Sequence, residues 1–204
     1  RPVVVLDQDV SAHDVSSLRL SAPAEIPILL RSLEDAGHQR VACLNTQPLD
    51  NVIRERIDQW QFWIKMHNLD GCLIDEHVKP FESAMQHAYQ VLCERLESGD
   101  FTQTAIFCTT GIAAIGAMRA LTDHGLEPGR DVAVCAADSN GDEAPYLRPS
   151  MTCLRSPDVS PYVEACLDWF AGGAKQWIGP RLIHPPRVDL FTGESTSEFT
   201  LPDR

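Results

Sequence analysis

Five apolar runs in the chain each end on polar residues able to hold a small molecule. VVVL ends on Asp7, VACL on Asn45, CLI on Asp75, AIFC on Thr109 and Thr110, and VAVCAA on Asp138. Carboxylates accept paired hydroxyl donors, while amides and hydroxyls both donate and accept, so the set suits a ligand rich in hydroxyls or ring nitrogens. If the runs are strands of one parallel sheet, these residues line a single rim at the carboxyl ends, where open α/β sheets bind ligands. The same set read as an enzyme offers one nameable acid/base pair, Asp7 with Asp138, and no motif beside either residue supports turnover.

The elements that must place this rim are legible in outline. Strand-like stretches at about 2–6, 40–44, 71–74, 104–108 and 132–136 alternate with helical patterns at about 27–36, 49–67, 82–97, 111–124 and 158–171. That alternation predicts βαβ units with right-handed crossovers and parallel sheets flanked by helices, an α/β fold. Gly37, Gly99 and Gly125 follow helical segments, each suited to the left-handed residue after a helix end. Pro27 fits a first helical turn better than an interior, where it would cost about 3 kcal/mol. Thr110 precedes Ile112, Ile115, Met118 and Leu121 and can cap that helix as well as face a ligand. Prolines 145, 149, 157 and 161, then 180, 185 and 186, mark connector-like stretches before a last strand-like run at 188–192.

Composition removes several function classes. With 17 Lys plus Arg against 29 Asp plus Glu, the net charge is −12, which repels phosphate backbones, and no basic run escapes that average. Seven cysteines without a CxxC pair point to a reducing compartment, hence a cytoplasmic protein, and no apolar stretch approaches the roughly 20 residues of a membrane span. GxGxxG, GxxxxGK[ST], GxSxG and HExxH are all absent. The run from Asp138 to Asp142 begins like a calcium loop, but Glu143 and Pro149 stand where that loop needs glycine and a bidentate glutamate. Asp75-Glu76-His77 lacks partner ligands and reads as a solvated loop after a strand. No metal or cofactor is expected, and His38, just past a helix-ending glycine, reads as structural.

Longer stretches resemble the LacI/GalR family of bacterial transcriptional regulators. Residues 33–42, LEDAGHQRVA, are similar to the family's "hL..lGHr.Ia", and 104–108 running on to 114–121, AIGAMRAL, to its "taif..nd..A.Gam.al". Residues 129–134, GRDVAV, resemble "p.DvsvvgfDd", and 149–155, PSMTCLR, resemble "P.LTTvrq". Glu194-Ser195-Thr196 matches the closing "R.ST", with Gly193 in place of the arginine. The pieces keep family order and spacing from residue 1 to about 197.

The resemblance implies a two-lobed effector domain of the periplasmic-binding-protein-like I type, entered partway through its first lobe. Residues 1–20 and 156–182 would form a partial N-terminal lobe, 21–155 and 183–197 a complete C-terminal lobe, and 198–204 a tail. The DNA-reading headpiece would lie outside this chain. Carried over residue by residue, Asp7 would meet effector hydroxyls, Arg56 of the Arg54–Trp60 stretch would contact the effector, Phe81 would stack on it, and Asp138 would take the position of the aspartate after "vvgf". Thr110-Gly111 stands where the family has Asn-Asp. A carboxylate, an arginine fork and an aromatic plate suit a sugar, sugar phosphate or nucleoside, with charge-assisted bonds of roughly 1.5–3 kcal/mol each. The implied function is effector binding and homodimerisation in a DNA-binding regulator, a binding module rather than an enzyme. Other readings of the same residues are a solvated helix face for Arg56, a core aromatic for Phe81 and turn capping for Asp7 and Asp138. The alternative for the whole chain is a periplasmic sugar-binding protein of a transport or chemosensory system.

Overall fold

Each helix forms where an apolar stripe, a capping side chain and a stop signal coincide. A computed structural model describes residues 3–22, 25–138, 143–155, 158–172 and 179–196; residues 139–142 of the rejected calcium loop and the expected 198–204 tail lie outside them. The chain divides into two units, Arg1–Glu25 with Ser156–Asp189, and Ile26–Arg155 with Leu190–Arg204.

In the first unit, β1 (Val4–Leu6), β2 (Ser16–Leu18) and β8 (Leu182–Ile183) form a parallel sheet in the order β1-β2-β8. Helix α5 (Ser160–Gly172) packs on β2. The Arg181 guanidinium lies 5.7 Å from the ring centre of the buried Trp169, and its backbone amide donates to the Ser16 hydroxyl at 3.0 Å. Strands β2 and β8 are absent from the sequence reading, since neither SSL nor LI makes a run long enough to register a period of two.

The second unit holds a six-stranded sheet in the order β4-β3-β5-β6-β7-β9. Its strands are β3 (Arg40–Asn45), β4 (Asp70–Asp75), β5 (Ala105–Cys108), β6 (Ala133–Ala136), β7 (Thr152–Arg155) and β9 (Asp189–Phe191). The pairs β3–β4, β3–β5, β5–β6 and β6–β7 are parallel. The helices are α1 (Ile26–Asp35), α2 (Asn51–Met66), α3 (Ala84–Ser98) and α4 (Gly111–Asp123). From β3 the chain crosses through α2 to the edge strand β4, then returns through α3 past β3 to β5, and continues in that direction through α4 to β6. With right-handed crossovers, α2 lies on one face and α3 with α4 on the other. The reversal puts a topological switch point between β3 and β5.

Local chemistry accounts for the helix ends. Asp50 caps α2 by accepting from the Ile53 amide at 2.8 Å, and Ser83 caps α3 through the Gln86 amide at 3.3 Å. Gly37, Gly99 and Gly125 take φ of 92°, 76° and 76° past α1, α3 and α4, as the sequence predicts. Pro27 sits in the first turn of α1. Helix α4 is built of small residues because it is packed closely: a Cβ on Gly116 would collide with the Met85 carbonyl of α3 and stand 3.0 Å from the Tyr89 amide nitrogen.

The last segment latches the sheet. The buried Ser195 donates to the Val134 carbonyl of β6 at 2.6 Å and accepts from the Thr152 amide of β7 at 2.9 Å. Gly193 donates to the Thr152 hydroxyl at 2.9 Å, and a Cβ there would collide with the Ser150 carbonyl. This explains why glycine stands where the resembling family has arginine.

His38 is fully buried, with Nδ1 3.0 Å from the Thr104 hydroxyl, and burial pushes its pKa down from 6.5 to about 4. Above pH 6.5 the ring is neutral folded and unfolded. Between pH 6.5 and about 4 only the unfolded chain takes the proton, so folding stability falls as pH falls through that window. The urea midpoint of the wild type is expected to drop more steeply across that window than that of His38→Gln; parallel profiles would contradict this role.

Candidate functional site

Arg56 faces inward because it lies on the buried stripe of α2. Ile53, Arg56, Ile57, Trp60 and Trp63 recur at helical spacing and are all buried, so Arg56 occupies a core-facing position rather than a solvated helix face. Such a cation is tolerated only if paired. Its Nη1 donates to the Thr109 carbonyl and to Asp138 Oδ2, both at 2.7 Å, with the two side chains 8% and 20% exposed. The other Asp138 oxygen, Oδ1, accepts from the Gly111 amide at 3.0 Å, in the first turn of α4. A carboxylate at a helix amino terminus is also favoured by the helix dipole.

Thr110 caps α4, its hydroxyl accepting from the Ala113 amide at 3.3 Å. A Cβ on Gly111 would stand 2.6 Å from the Asp138 carbonyl oxygen, so the close approach of Asp138 to α4 needs glycine there. The departure from the family's Asn-Asp pair thus has a packing cause on its second residue.

The network runs on across the switch point. The Thr109 hydroxyl donates to Asn45 Oδ1 at 2.7 Å, joining the residue after β5 to the last residue of β3. Asn45 Nδ2 donates to the Gln47 carbonyl at 2.8 Å and to Asp75 Oδ1 at 2.7 Å, and that oxygen also lies 3.1 Å from His77 Nε2. Asn45 and Thr109 are fully buried, whereas Asp75 and His77 reach solvent. Asp75 and His77 therefore belong to a hydrogen-bonded network and are not merely a solvated loop. Four strand ends, β3 to β6, share one polar rim.

The sequence-derived residues divide into three groups. Arg56, Thr110 and Asp138 come together at this rim. Phe81 stands outside the network, fully exposed in the turn before α3 at φ 70°, and so is not a core aromatic. Asp7 belongs to the first unit, exposed at the end of β1 with φ 61°, its amide donating to the Leu18 carbonyl at 2.7 Å. Asn45, Asp75 and Thr109 were visible in the sequence as rim residues, but their mutual bonding follows from strand order, which no local pattern encodes. Among the described residues no group of three or more His, Cys, Asp or Glu could hold a metal ion, and no helix is long and apolar enough to cross a membrane. The network supplies fixed donors and acceptors around one internally compensated ion pair, an arrangement suited to holding a ligand.

Residues 30–159 match the family model of the periplasmic binding protein-like domain. The lactose operon repressor of Escherichia coli K12 is 31% identical over 117 residues, covering 57% of this chain and 31% of the repressor. The transcriptional repressor PurR of Photobacterium profundum is 25% identical over 161 residues, 76% of this chain and 46% of that protein. The chain spans less than half the length of these curated relatives. Among solved structures, the lac repressor dimer bound to operator and an anti-inducer is similar with TM-score 0.77 at 22% identity, covering 96% of this chain and 57% of that one. A LacI family regulator from Enterococcus faecium with bound ribose gives 0.77 at 21%, covering 97% and 71%.

Proposed function

Because the chain belongs to the periplasmic binding protein-like domain family, in the form carried by LacI-type regulators, we propose that it is the effector-binding and dimerisation domain of a transcriptional repressor. The observation that carries this reading is the Arg56–Asp138 pair, anchored on the Thr109 carbonyl and the Gly111 amide beside the switch point of a parallel sheet. The ligand is a sugar, sugar phosphate or nucleoside-like molecule. Asp138 is the contact the ligand meets, and Arg56, buried behind it, is the positioning residue that holds that carboxylate. Thr110 keeps the amino end of α4 in place, Asp7 accepts ligand hydroxyls, and the exposed Phe81 ring is the stacking plate. The relative solved with ribose bound supports a small polyhydroxylated effector, and the relative solved as a dimer on operator supports homodimerisation. Operator contact belongs to a headpiece outside this acidic chain, and the site of action is the cytoplasm. We assign residues 1–20 with 156–182 to a partial N-terminal lobe and 21–155 with 183–197 to a complete C-terminal lobe. The repressor relatives weigh against a periplasmic transport protein or an enzyme.

A thermal-shift screen of the chain and of Asp138→Ala against sugars, sugar phosphates, nucleosides and nucleobases tests the reading. One ligand class is expected to raise the melting temperature of the wild type and leave the variant unmoved. An equal shift in both proteins would remove Asp138 from the site, and a panel without any shift, repeated on the full-length gene product, would sink the effector reading.

A further inference from the structure

The second unit carries a cavity of about 980 Å³ at the amino ends of β6 and β7, on the edge of the sheet opposite the polar rim. Its walls come from the end of α4, the turn before β6, the Ala144–Tyr146 turn with the stretch leading to β7, and Glu194. Most of its charged groups are already engaged. Arg130 pairs with Glu127 at 2.5 Å and with Asp131 at 3.0 Å. Glu194 Oε2 accepts from the Ser150 amide at 2.8 Å and from its hydroxyl at 3.1 Å, bonds that hold the carboxyl below its ordinary range. Arg148 differs: it lies exposed in the wall, and its charge acts on the Glu194 carboxylate from a distance, without a hydrogen bond or close ion pair to a described residue. Tyr146, two residues before it in the same wall, is 83% exposed, and Leu126 adds apolar surface.

An arginine fork with no hydrogen-bonded acceptor among the described residues, two positions after an open aromatic ring, can recognise a planar anion through paired hydrogen bonds and ring stacking. Glu127 and Glu194 in the same wall favour a monoanion over a dianion. We propose that this cavity is a second ligand site, separate from the rim, for a small aromatic carboxylate held by Arg148 and stacked on Tyr146.

The test is an amide NMR titration of the whole chain with benzoate, benzyl alcohol and phenyl phosphate. Benzoate is expected to give saturable shifts at Leu147, Ser150 and Glu194. Benzyl alcohol, lacking the charge, should bind at least tenfold more weakly, and phenyl phosphate more weakly than benzoate. Arg148→Met should weaken benzoate at least tenfold and Tyr146→Ala several-fold, whereas Arg119→Met, an exposed cation of α4 outside the cavity, should leave the midpoint within twofold. Absence of saturable shifts, equal midpoints in the wild type and Arg148→Met, or alcohol binding equal to benzoate would each overturn the site. Tighter binding of phenyl phosphate would overturn the monoanion assignment.

Discussion

Arg56→Met is expected to cost the second unit about 3 kcal/mol, the scale for removing one partner of a buried ion pair. The loss is larger than that of a surface pair, worth about 0–1 kcal/mol, because three groups suffer together. Asp138 loses its cation, the Thr109 carbonyl loses a donor, and a buried position of α2 between Ile53 and Trp60 changes shape. Urea unfolding followed by tryptophan fluorescence reads this directly, since Trp60 and Trp63 lie one and two turns further along the same stripe. Asp138→Asn should cost a similar amount: the amide oxygen can still accept from Gly111, but the Arg56 cation, 8% exposed, is left without a counter-charge. The double variant should cost well under the sum of the singles, by roughly 1 kcal/mol or more of coupling. A change below about 0.5 kcal/mol for Arg56→Met would show the pair to be solvated and the network to be absent in solution.

Gly116→Ala should destabilise by about 2–3 kcal/mol, near the upper end for overpacking a filled interior. The added methyl meets backbone of α3, the Met85 carbonyl and the Tyr89 amide, and backbone cannot rotate out of the way as a side-chain tip can. Helix propensity alone predicts the opposite sign, because alanine is favoured over glycine by up to about 1 kcal/mol in a helix. Gly172, at the end of α5 with open space around its Cβ position, isolates that propensity term. Gly172→Ala should therefore be neutral or slightly stabilising. If both alanines behave alike in urea unfolding, the close approach of α3 and α4 is wrong.

Much of the rim could be read from the sequence because each polar residue follows its own apolar run, a pattern confined to a few neighbours. Arg56 came from a resemblance, yet its register with Ile53, Ile57 and Trp60 was available from helical periodicity alone. Strand β7 was hidden by the prolines on either side of it, at 149 and 157, which made Thr152–Arg155 look like part of a connector. The hydrogen bond from Thr109 to Asn45 needs β3 and β5 to be neighbours although β4 lies between them in sequence, and strand order is a property of the whole sheet. Gly111 and Gly193 looked like lost family side chains; only the nearness of the Asp138 and Ser150 carbonyls gives them a positive reason. Phe81 shows the reverse case, an aromatic before a helix that packing leaves in solvent.

The Ser195 latch has a consequence for how the protein is made. The chain leaves the second unit after Arg155 and returns at Leu190, so the residue that bolts β6 to β7 is synthesised after all of α5 and β8. On the ribosome, the first five strands of that sheet are made before their bolt, so any pairing of β6 with β7 at that stage has to hold without the two hydrogen bonds of Ser195.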